Sequence, residues 1–324
     1  MYIGLDIHKE YLQAAVMSED GKVLKEEKVR NDRGSIQSFF QGIPGEAKVV
    51  IESSSTWYNI YSQLSDRYDV VVSNPAKTKA IASAKIKTDK VDSVTLANLL
   101  RTNYIARCYV PSREMMDLKE LLRYRASLVQ ERTRLKNKIH GILLMNGANI
   151  KAGPFTREFV DELKGLNDYR VDGYLSLLEG LKGQLDDVSR RVKEIAEEDE
   201  DSRLLMTIPG IGYYSALLIK SEIADIDRFQ DAAHLVAYAG LAPSTHSSGG
   251  KTYHGGITKA GSRHLRWVLT ECTHAHVKRV RDNVTEFYEK LARKKGKSKA
   301  SVAASAKLLK IVYWVLKERR PYHS

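Results

Sequence analysis

The sequence is poor in the residues that cross-link or stiffen a chain. Its 324 residues include two cysteines and seven prolines, and no apolar run is long enough to span a membrane. Cys108 and Cys272 cannot form a disulfide framework, which excludes a disulfide-stabilised secreted scaffold and indicates a reducing, cytoplasmic compartment. The first apolar run ends at Asp6 and is typical of a strand, so we expect no secretory signal.

Basic side chains outnumber acidic ones. Lys and Arg total 52 against 40 for Asp and Glu, which gives a formal net charge of +12 and a pI of about 9.4. Such an excess favours a polyanionic partner through counterion release, with nucleic acid ahead of a membrane surface. Simple surface solvation also produces a basic protein, so charge alone does not decide the partner.

The first 110 residues alternate short strand-like and helix-like stretches. Strands are predicted at 2–6, 12–16, 22–29, 48–52 and 69–72, and helices at 35–41, 58–67 and 91–100. This order predicts an α/β domain with a mixed sheet over residues 1–110.

Two long amphipathic stretches follow, from Arg113 to Asn146 and from Tyr174 to Glu198. They predict either two antiparallel helices within one chain or a coiled coil between protomers. We expect residues 111–202 to form this helical connector.

Residues 203–324 are expected to form a third, mostly helical domain. The turn Ile208-Pro209-Gly210-Ile211-Gly212 before a helix resembles the hairpin of helix-hairpin-helix modules, although a plain helix–helix turn fits equally well. The stretch 240–261, rich in Gly, Ser, Thr and His, is predicted to be a long loop, and Lys294–Lys299 a basic loop.

Four carboxylates stand out against the positive charge. Asp6 and Glu52 each end a predicted strand, while Asp89 and Asp92 lie three residues apart at a predicted helix start and so share one helix face. Singly, each is better explained as a strand end or a helix cap. Together they predict a site for Mg²⁺ or Mn²⁺, in which two ions would activate the attacking oxygen and stabilise the leaving oxygen of a phosphodiester.

The motifs together resemble a known family, the DEDD transposases of bacterial insertion sequences of the IS-one-ten (IS110) family, relatives of the Piv invertases. In the N-terminal part the resemblance rests on Gly4–Lys9, Ile51–Ser54, Asn74-Pro75 and Lys87–Asp92. In the C-terminal part it rests on Ile208–Gly212, Ala237–Pro243, Ser248-Gly249 and Thr258–Gly261. One departure is His8, which stands where some members carry a small residue.

The resemblance implies a RuvC-like, ribonuclease-H-type first domain with Asp6, Glu52, Asp89 and Asp92 as the metal ligands. It implies that a serine in the second half is the nucleophile and forms a phosphoserine link to DNA. That serine corresponds to Ser248, with Ser247 beside it as the alternative.

The resemblance also implies guidance by a structured bridge RNA that pairs with donor and target DNA. It implies a dimer or tetramer, with the acidic centre of one protomer joined to the serine of another, in the bacterial or archaeal cytoplasm at the nucleoid. Candidate phosphate contacts are Lys85, Lys87, Lys90, Lys251, Lys259, Arg263, Lys295 and Lys297. Two alternatives remain: a RuvC-like nuclease that resolves junctions without a serine intermediate, and a non-catalytic nucleic-acid scaffold.

Overall fold

The computed structural model describes residues 1–54, 56–81, 88–147, 155–248 and 251–323. For residues 80, 245–248, 251, 252 and 254 it describes the backbone alone. The chain divides into two compact units, Met1–Val110 and Pro111–Ser324.

The first unit is built on one five-stranded mixed sheet. Its strands are β1 (Tyr2–Ile7), β2 (Tyr11–Met17), β3 (Val23–Arg30), β4 (Lys48–Glu52) and β5 (Asp69–Ser73). The strand order is β3-β2-β1-β4-β5. The first three strands are antiparallel, whereas β4 and β5 run parallel to β1, so the predicted mixed α/β sheet is confirmed.

The described part of this unit also contains four helices, of which the first, second and fourth contact the sheet. They are α1 (Arg33–Phe40), α2 (Trp57–Leu64), α3 (Pro75–Ile81) and α4 (Asp89–Arg101). Alternation along the strands sends Ile3 and Ile51 into a core on one face. Val50 points to the other face and packs with Leu96 and Leu100 of α4. Because both faces are buried, β1 and β4 read as nearly continuous apolar runs.

The second unit is mostly helical. Its helices are α5 (Arg113–Met145), α6 (Arg157–Gly165), α7 (Tyr169–Glu198), α8 (Glu200–Met206), α9 (Tyr213–Ile223), α10 (Ala232–Tyr238), α11 (Arg263–Arg279), α12 (Asn283–Lys295) and α13 (Lys297–Glu318). A two-stranded antiparallel hairpin, β6 (Pro243–Ser248) and β7 (Lys251–Ile257), lies between α10 and α11.

The long helices α5 and α7 pack against each other within the chain. Near one end Arg125 donates a hydrogen bond from Nε to Ser189 Oγ at 3.0 Å, and near the other Ile139 shares a core with Val171. These contacts show that the two helices run antiparallel, which is one of the two arrangements predicted from the sequence. A coiled coil between protomers stays a prediction, as does the domain boundary expected at residue 202.

Two predicted loops are wrong in part. Residues 243–248 and 251–257 form the β6–β7 hairpin, because Ser and Thr tolerate strand geometry and the Gly249-Gly250 pair between them is a hairpin signal in the sequence. Lys294 and Lys295 end α12, and Lys297 begins α13. The basic run interrupts helical structure only at Gly296, whose φ is +84°.

Within the described part of the chain, no helix is both long enough and apolar enough to cross a membrane.

Candidate metal centre

Two of the predicted carboxylates lie at the carboxyl ends of neighbouring parallel strands, Asp6 as the last residue but one of β1 and Glu52 as the last residue of β4. The β1–β4 ladder pairs Leu5 with Ile51, and Asp6 and Glu52 follow these residues directly. In the next ladder Glu52 pairs with Ser73 of β5. Carboxyl ends of parallel strands meet at one edge of the sheet, where ligand sites of α/β folds concentrate. The chain direction therefore delivers both carboxylates to one edge.

Helix α4 brings the other two carboxylates to this unit's sheet. Thr88 is its N-cap and accepts a hydrogen bond from the amide of Val91 at 3.3 Å, which fixes the helix start. Asp89 and Asp92 follow in the first turn, where the helix dipole favours negative charge. The helix crosses β1 closely at Gly4, the one residue there without a Cβ.

Asp6, His8 and Asp89 come together where the end of β1 lies near the start of α4. His8 Nε2 lies 3.1 Å from Asp6 Oδ2 and 3.3 Å from Asp89 Oδ2. The ligand atoms of the three residues all lie within 4.8 Å of one another. Side chains at these distances could hold one cation between them.

Tyr11 completes the surroundings of Asp89. Its hydroxyl donates a hydrogen bond of 2.7 Å to Asp89 Oδ2, and its ring lies 4.6 Å from that of His8, centroid to centroid. Lys28 Nζ stands 3.6 Å from the centroid of the Tyr11 ring. Side chains from the β1–β2 hairpin and from β3 thus orient the carboxylate of Asp89, which belongs to α4.

The electrostatics of the two carboxylates differ. Burial raises the pKa of Asp6, and the negative charges of Asp89 and Asp92 raise it further, against the opposing effect of His8. The hydrogen bond from Tyr11 lowers the pKa of Asp89, and the charges of His8 and Lys28 act in the same direction. A half-buried carboxylate facing others of like charge is a place where a cation is favoured.

The residues present fit a divalent ion. Carboxylate oxygens are the ligands that Mg²⁺ and Mn²⁺ prefer, and Asp6 and Asp89 supply them. His8 offers one further ligand atom or, by bridging the two carboxylates, orients them.

The other two predicted ligands stand outside this close group. Among the residues that the structure describes, the group has only Asp6, His8 and Asp89 as members. Glu52 lies at the end of β4 and Asp92 one turn into α4, and both interact with neighbouring groups. Asp92 acts on Asp6 through its charge.

The sequence prediction does not include Tyr11, whose position depends on the turn that joins β1 to β2. The β1–β2 hairpin pairs Asp6 with Gln13, and the His8 amide donates to the Tyr11 carbonyl at 2.9 Å. This turn puts Tyr11 at the same sheet edge as Asp6.

The predicted serine lies in the β6–β7 hairpin. Ser248 ends β6, where it pairs with Lys251, and Ser247 pairs with Thr252. The structure describes the backbone of these four residues and not their side chains. The predicted nucleophile thus belongs to a strand end rather than to an irregular loop.

The predicted phosphate contacts are scattered over the two units. Lys85 and Lys87 lie outside the described residues, and only the backbone of Lys251 is described. The remaining five side chains are exposed: Lys90, Lys259, Arg263, Lys295 and Lys297. Exposure leaves them accessible to a ligand but does not distinguish them from solvated surface residues.

Comparisons with known proteins match both halves of the chain. A family model for the DEDD transposases of IS110 elements matches residues 3–145. A second, described as the transposase IS116/IS110/IS902 family, matches residues 202–289. Asp6, His8 and Asp89 fall in the first match, and the β6–β7 hairpin in the second.

Similar proteins extend along most of the chain. The transposase for insertion sequence element IS1111A of Coxiella burnetii is 27% identical over 340 residues, covering 99% of this chain and 90% of that protein. The transposase for IS1533 of Leptospira borgpetersenii is 27% identical over 71% of this chain and 72% of its own length. The pilin gene-inverting protein of Moraxella bovis is 27% identical over 85% of this chain and 81% of its own length.

Proposed function

Because the chain belongs to the IS116/IS110/IS902 family of transposases, we propose that it is an RNA-guided DNA recombinase with two chemical centres. A metal-binding DEDD centre lies in a RuvC-like first domain, and a serine nucleophile lies in the second half of the chain. As a transposase, the protein is an enzyme that acts on DNA. Beyond transposase activity, we infer the identity of the metal ligands, the serine nucleophile and the guide RNA.

The observation that carries the proposal is the convergence of Asp6, His8 and Asp89, whose ligand atoms lie within 4.8 Å of one another. Asp6, Glu52, Asp89 and Asp92 would hold Mg²⁺ or Mn²⁺. A bound ion of this kind would supply charge stabilisation at a phosphodiester oxygen. His8 and Tyr11 keep the carboxylate of Asp89 oriented through their contacts with Oδ2.

In the proposed reaction the Ser248 hydroxyl attacks a DNA phosphodiester. The serine oxygen–phosphorus bond forms while the bond from phosphorus to one ester oxygen of the DNA breaks. The serine proton passes to a base or to solvent, and the departing DNA oxygen takes up a proton and becomes a free hydroxyl. A hydroxyl of a second strand then attacks the phosphoserine, so that a new DNA phosphodiester forms, the serine–phosphorus bond breaks and the serine hydroxyl is regenerated. Strand exchange of this kind passes through a junction. The exposed cations Lys259 and Arg263, just after the hairpin, support the choice of this region because they favour a phosphate nearby.

A guide RNA and assembly into a dimer or tetramer complete the proposal. A formal net charge of +12 supports an assembly that holds RNA as well as DNA. Sequence would then be read by base pairing, and the protein would contact backbone and shape.

The test is a search for a covalent protein–DNA adduct. Purified protein is incubated with Mg²⁺, RNA transcribed from the flank of its own insertion sequence, and DNA carrying both junctions, and the products are separated on denaturing gels. We expect an adduct with wild type, its loss in Ser248→Ala and in Asp6→Asn, and its retention in the matched variant Ser247→Ala.

Each alternative to this proposal predicts different products on the denaturing gel. Adduct at the wild-type level in Ser248→Ala, with loss in Ser247→Ala, would move the nucleophile by one residue. Free cut ends that survive both serine variants and disappear in Asp6→Asn would show a hydrolytic nuclease. DNA binding without any strand cleavage, unchanged by chelator, would show a scaffold.

A further inference from the structure

A groove of about 1190 Å³ lies in the second unit, between the β6–β7 hairpin and the corner at which α12 meets α13. Pro243, Gly255 and Ile257 of the hairpin contribute to its lining, as do Leu291 of α12 and Val302 of α13. All of the residues that line the groove belong to the second unit. The groove is therefore no part of the metal centre.

Much of the lining of this groove is apolar. Ile257, Leu291 and Val302 present aliphatic side chains to it. Ala303 and Ala306 lie three residues apart, and so on one face of α13, where their small side chains leave space open. Apolar surface of this kind offers nothing to a bare inorganic anion, but it can bury the base or the sugar of a nucleotide.

Three lysines line the same groove. Lys294 and Lys295 end α12, and Lys299 lies in the first turn of α13. Gly296 joins the two helices, and its φ of +84° allows the sharp turn that brings their ends to one corner. The groove thus combines an apolar lining with three positive charges.

No carboxylate neutralises these three lysines in the described part of the chain. The lining of the groove includes no Asp or Glu. Between Glu289 and Glu318 the sequence has nine Lys and Arg residues and no acidic residue. Glu289 itself pairs with Arg281 at 3.7 Å. The positive charge at the groove is therefore available to an anionic ligand.

The position of Lys299 is unfavourable for the stability of α13. Positive charge at a helix N-terminus opposes the helix dipole, and this first turn holds Lys297 and Lys299 without an acidic residue. The N-cap is Gly296, which has no side chain to accept hydrogen bonds from the amides of that turn. A bound phosphate would accept from these amides and neutralise the lysines at once. A local arrangement that costs stability in this way indicates a functional use.

We propose that this groove binds a single strand of DNA, with its phosphates on Lys294, Lys295 and Lys299 and a base or sugar against the apolar lining. A single strand is favoured over a duplex because its bases are free to leave the stack and contact protein. A duplex keeps its bases stacked inside and would offer its backbone to the lysines while the apolar lining stayed empty.

The choice of DNA over RNA rests on the proposed function. The hairpin that lines the groove carries Ser248 at the end of β6. From Ile257 to Lys251, which pairs with Ser248, β7 covers about 20 Å at about 3.4 Å per residue. About six nucleotides of a strand span this distance. A strand held in the groove is thus within reach of the serine proposed to attack DNA.

Binding is measured in EDTA, without the metal that the recombination chemistry needs, so a failure here is separate from a failure of the proposed function. Fluorescence anisotropy is recorded with a labelled single strand of DNA, with its duplex and with an RNA strand of the same sequence, over a range of salt concentrations. Lys295→Gln and Lys299→Gln are compared with Lys310→Gln, which removes an exposed charge of α13 outside the groove. We expect each groove variant to bind the DNA strand about 2–5-fold more weakly than Lys310→Gln, with a salt slope smaller by about 0.7.

A second pair of variants tests the apolar lining without a change of charge. Ala303→Leu fills part of the groove, whereas Ala233→Leu adds the same side chain at an exposed position of α10. We expect Ala303→Leu to weaken binding of the DNA strand by about fivefold or more relative to Ala233→Leu. Binding of the duplex should be the same in the two variants.

Far-UV circular dichroism and a melting curve accompany each variant. Lys299→Gln is expected to melt no lower than wild type, because it removes a positive charge from the start of α13. Weaker binding by Lys299→Gln together with a lower melting temperature would show a structural role for Lys299 and overturn its assignment to the strand.

The three probes decide between the possible ligands. Weaker binding of the DNA strand in the lysine variants and in Ala303→Leu, with or without an equal effect on the RNA strand, supports the proposal. It is overturned if the folded lysine variants bind the DNA strand as well as Lys310→Gln does, or if they lose affinity for the RNA strand alone. It is equally overturned if Ala303→Leu binds the DNA strand as well as Ala233→Leu does, which would leave the groove to an acidic peptide or to no ligand.

Discussion

Gly4 of β1 and Ala97 of α4 approach each other so closely that a Cβ on Gly4 would stand 2.6 Å from the amide nitrogen of Ala97. It would also overlap the carbonyl oxygen of Ser93. Because α4 carries Asp89 and Asp92 in its first turn, this contact sets how near the helix start comes to the end of β1. The absence of a side chain at Gly4 thus allows α4 to pack directly against β1.

Gly4→Ala is therefore expected to damage both stability and the metal centre. The added methyl group has to displace backbone, which typically costs about 1–3 kcal/mol. The matched control is Gly34→Ala in α1, where the nearest atom to a new Cβ is an ordinary 3.5 Å away. Urea denaturation should show destabilisation for Gly4→Ala only, and equal stability of the two variants would contradict the close packing.

Metal binding should stabilise the protein through Asp6. An ion that binds only the folded state at about ten times its Kd adds about 1.4 kcal/mol to the free energy of unfolding. We expect Mn²⁺ to raise the melting temperature of wild type and to have little effect on Asp6→Asn. Without metal, Asp6→Asn should melt no lower than wild type, because it removes a half-buried carboxylate that faces Asp89 and Asp92.

The control for this experiment is Asp69→Asn, which changes an exposed carboxylate at the start of β5. It should keep the full response to Mn²⁺. An equal response in Asp6→Asn would show that the ion binds elsewhere.

The sequence alone predicts which elements carry the acidic residues. Apolar runs that end at Asp6 and Glu52, and a Thr-Asp start for α4, are local signals that hydrophobic burial and helix capping enforce. Their meeting at one edge also follows from general rules of parallel strands. The position of His8 between Asp6 and Asp89 cannot be predicted in this way. It depends on the turn that joins β1 to β2 and on the crossing of α4 over Gly4.

In the second unit, hydrophobic periodicity predicts the long helices but not how they pack. Helical spacing predicts α5 and α7, but it does not give the packing that brings Arg123 of α5 within 3.9 Å of Glu222 of α9. Composition alone also misassigned the β6–β7 hairpin, since residues common in loops pair well when a register is available. Contacts between segments that are distant in the sequence depend on how their side chains pack in three dimensions, and a single sequence does not give that packing.

Gly210 is a second position at which a methyl group should be costly. Its φ is +95°, and a Cβ there would stand 2.7 Å from the carbonyl oxygen of Cys272 and from the amide nitrogen of His276. Gly210→Ala should destabilise the protein by more than about 1 kcal/mol, from overpacking and left-handed backbone strain. Gly180→Ala, in the middle of α7 with nothing near its Cβ, should instead stabilise it by about 0.5–1 kcal/mol. Urea denaturation that gave both variants the same sign would contradict this packing.

Asp282 predicts a specific dependence of stability on pH. Burial alone would raise its pKa, but hydrogen bonds from the Tyr322 hydroxyl, the Thr285 amide and His276 outweigh burial and lower the pKa to about 2. His276 Nε2 lies 2.9 Å from Asp282 Oδ2, and the two side chains are 0% and 7% exposed. A carboxylate whose pKa is lower in the folded than in the unfolded state stabilises the fold above its unfolded pKa, near 4.

That stabilisation is lost as the pH falls from about 4 towards 2. At pH 7 it amounts to about 2 kcal/mol. Asp282→Asn cannot titrate, so the difference in free energy of unfolding between wild type and this variant should shrink by about 1 kcal/mol between pH 5 and pH 3. Urea denaturation at both pH values measures the difference directly, and carboxylates common to both proteins cancel in it. Asp227→Asn, which changes an exposed carboxylate of the same unit, should show a smaller change, and a constant difference for Asp282→Asn would mean that Asp282 is not held in its charged form by these bonds.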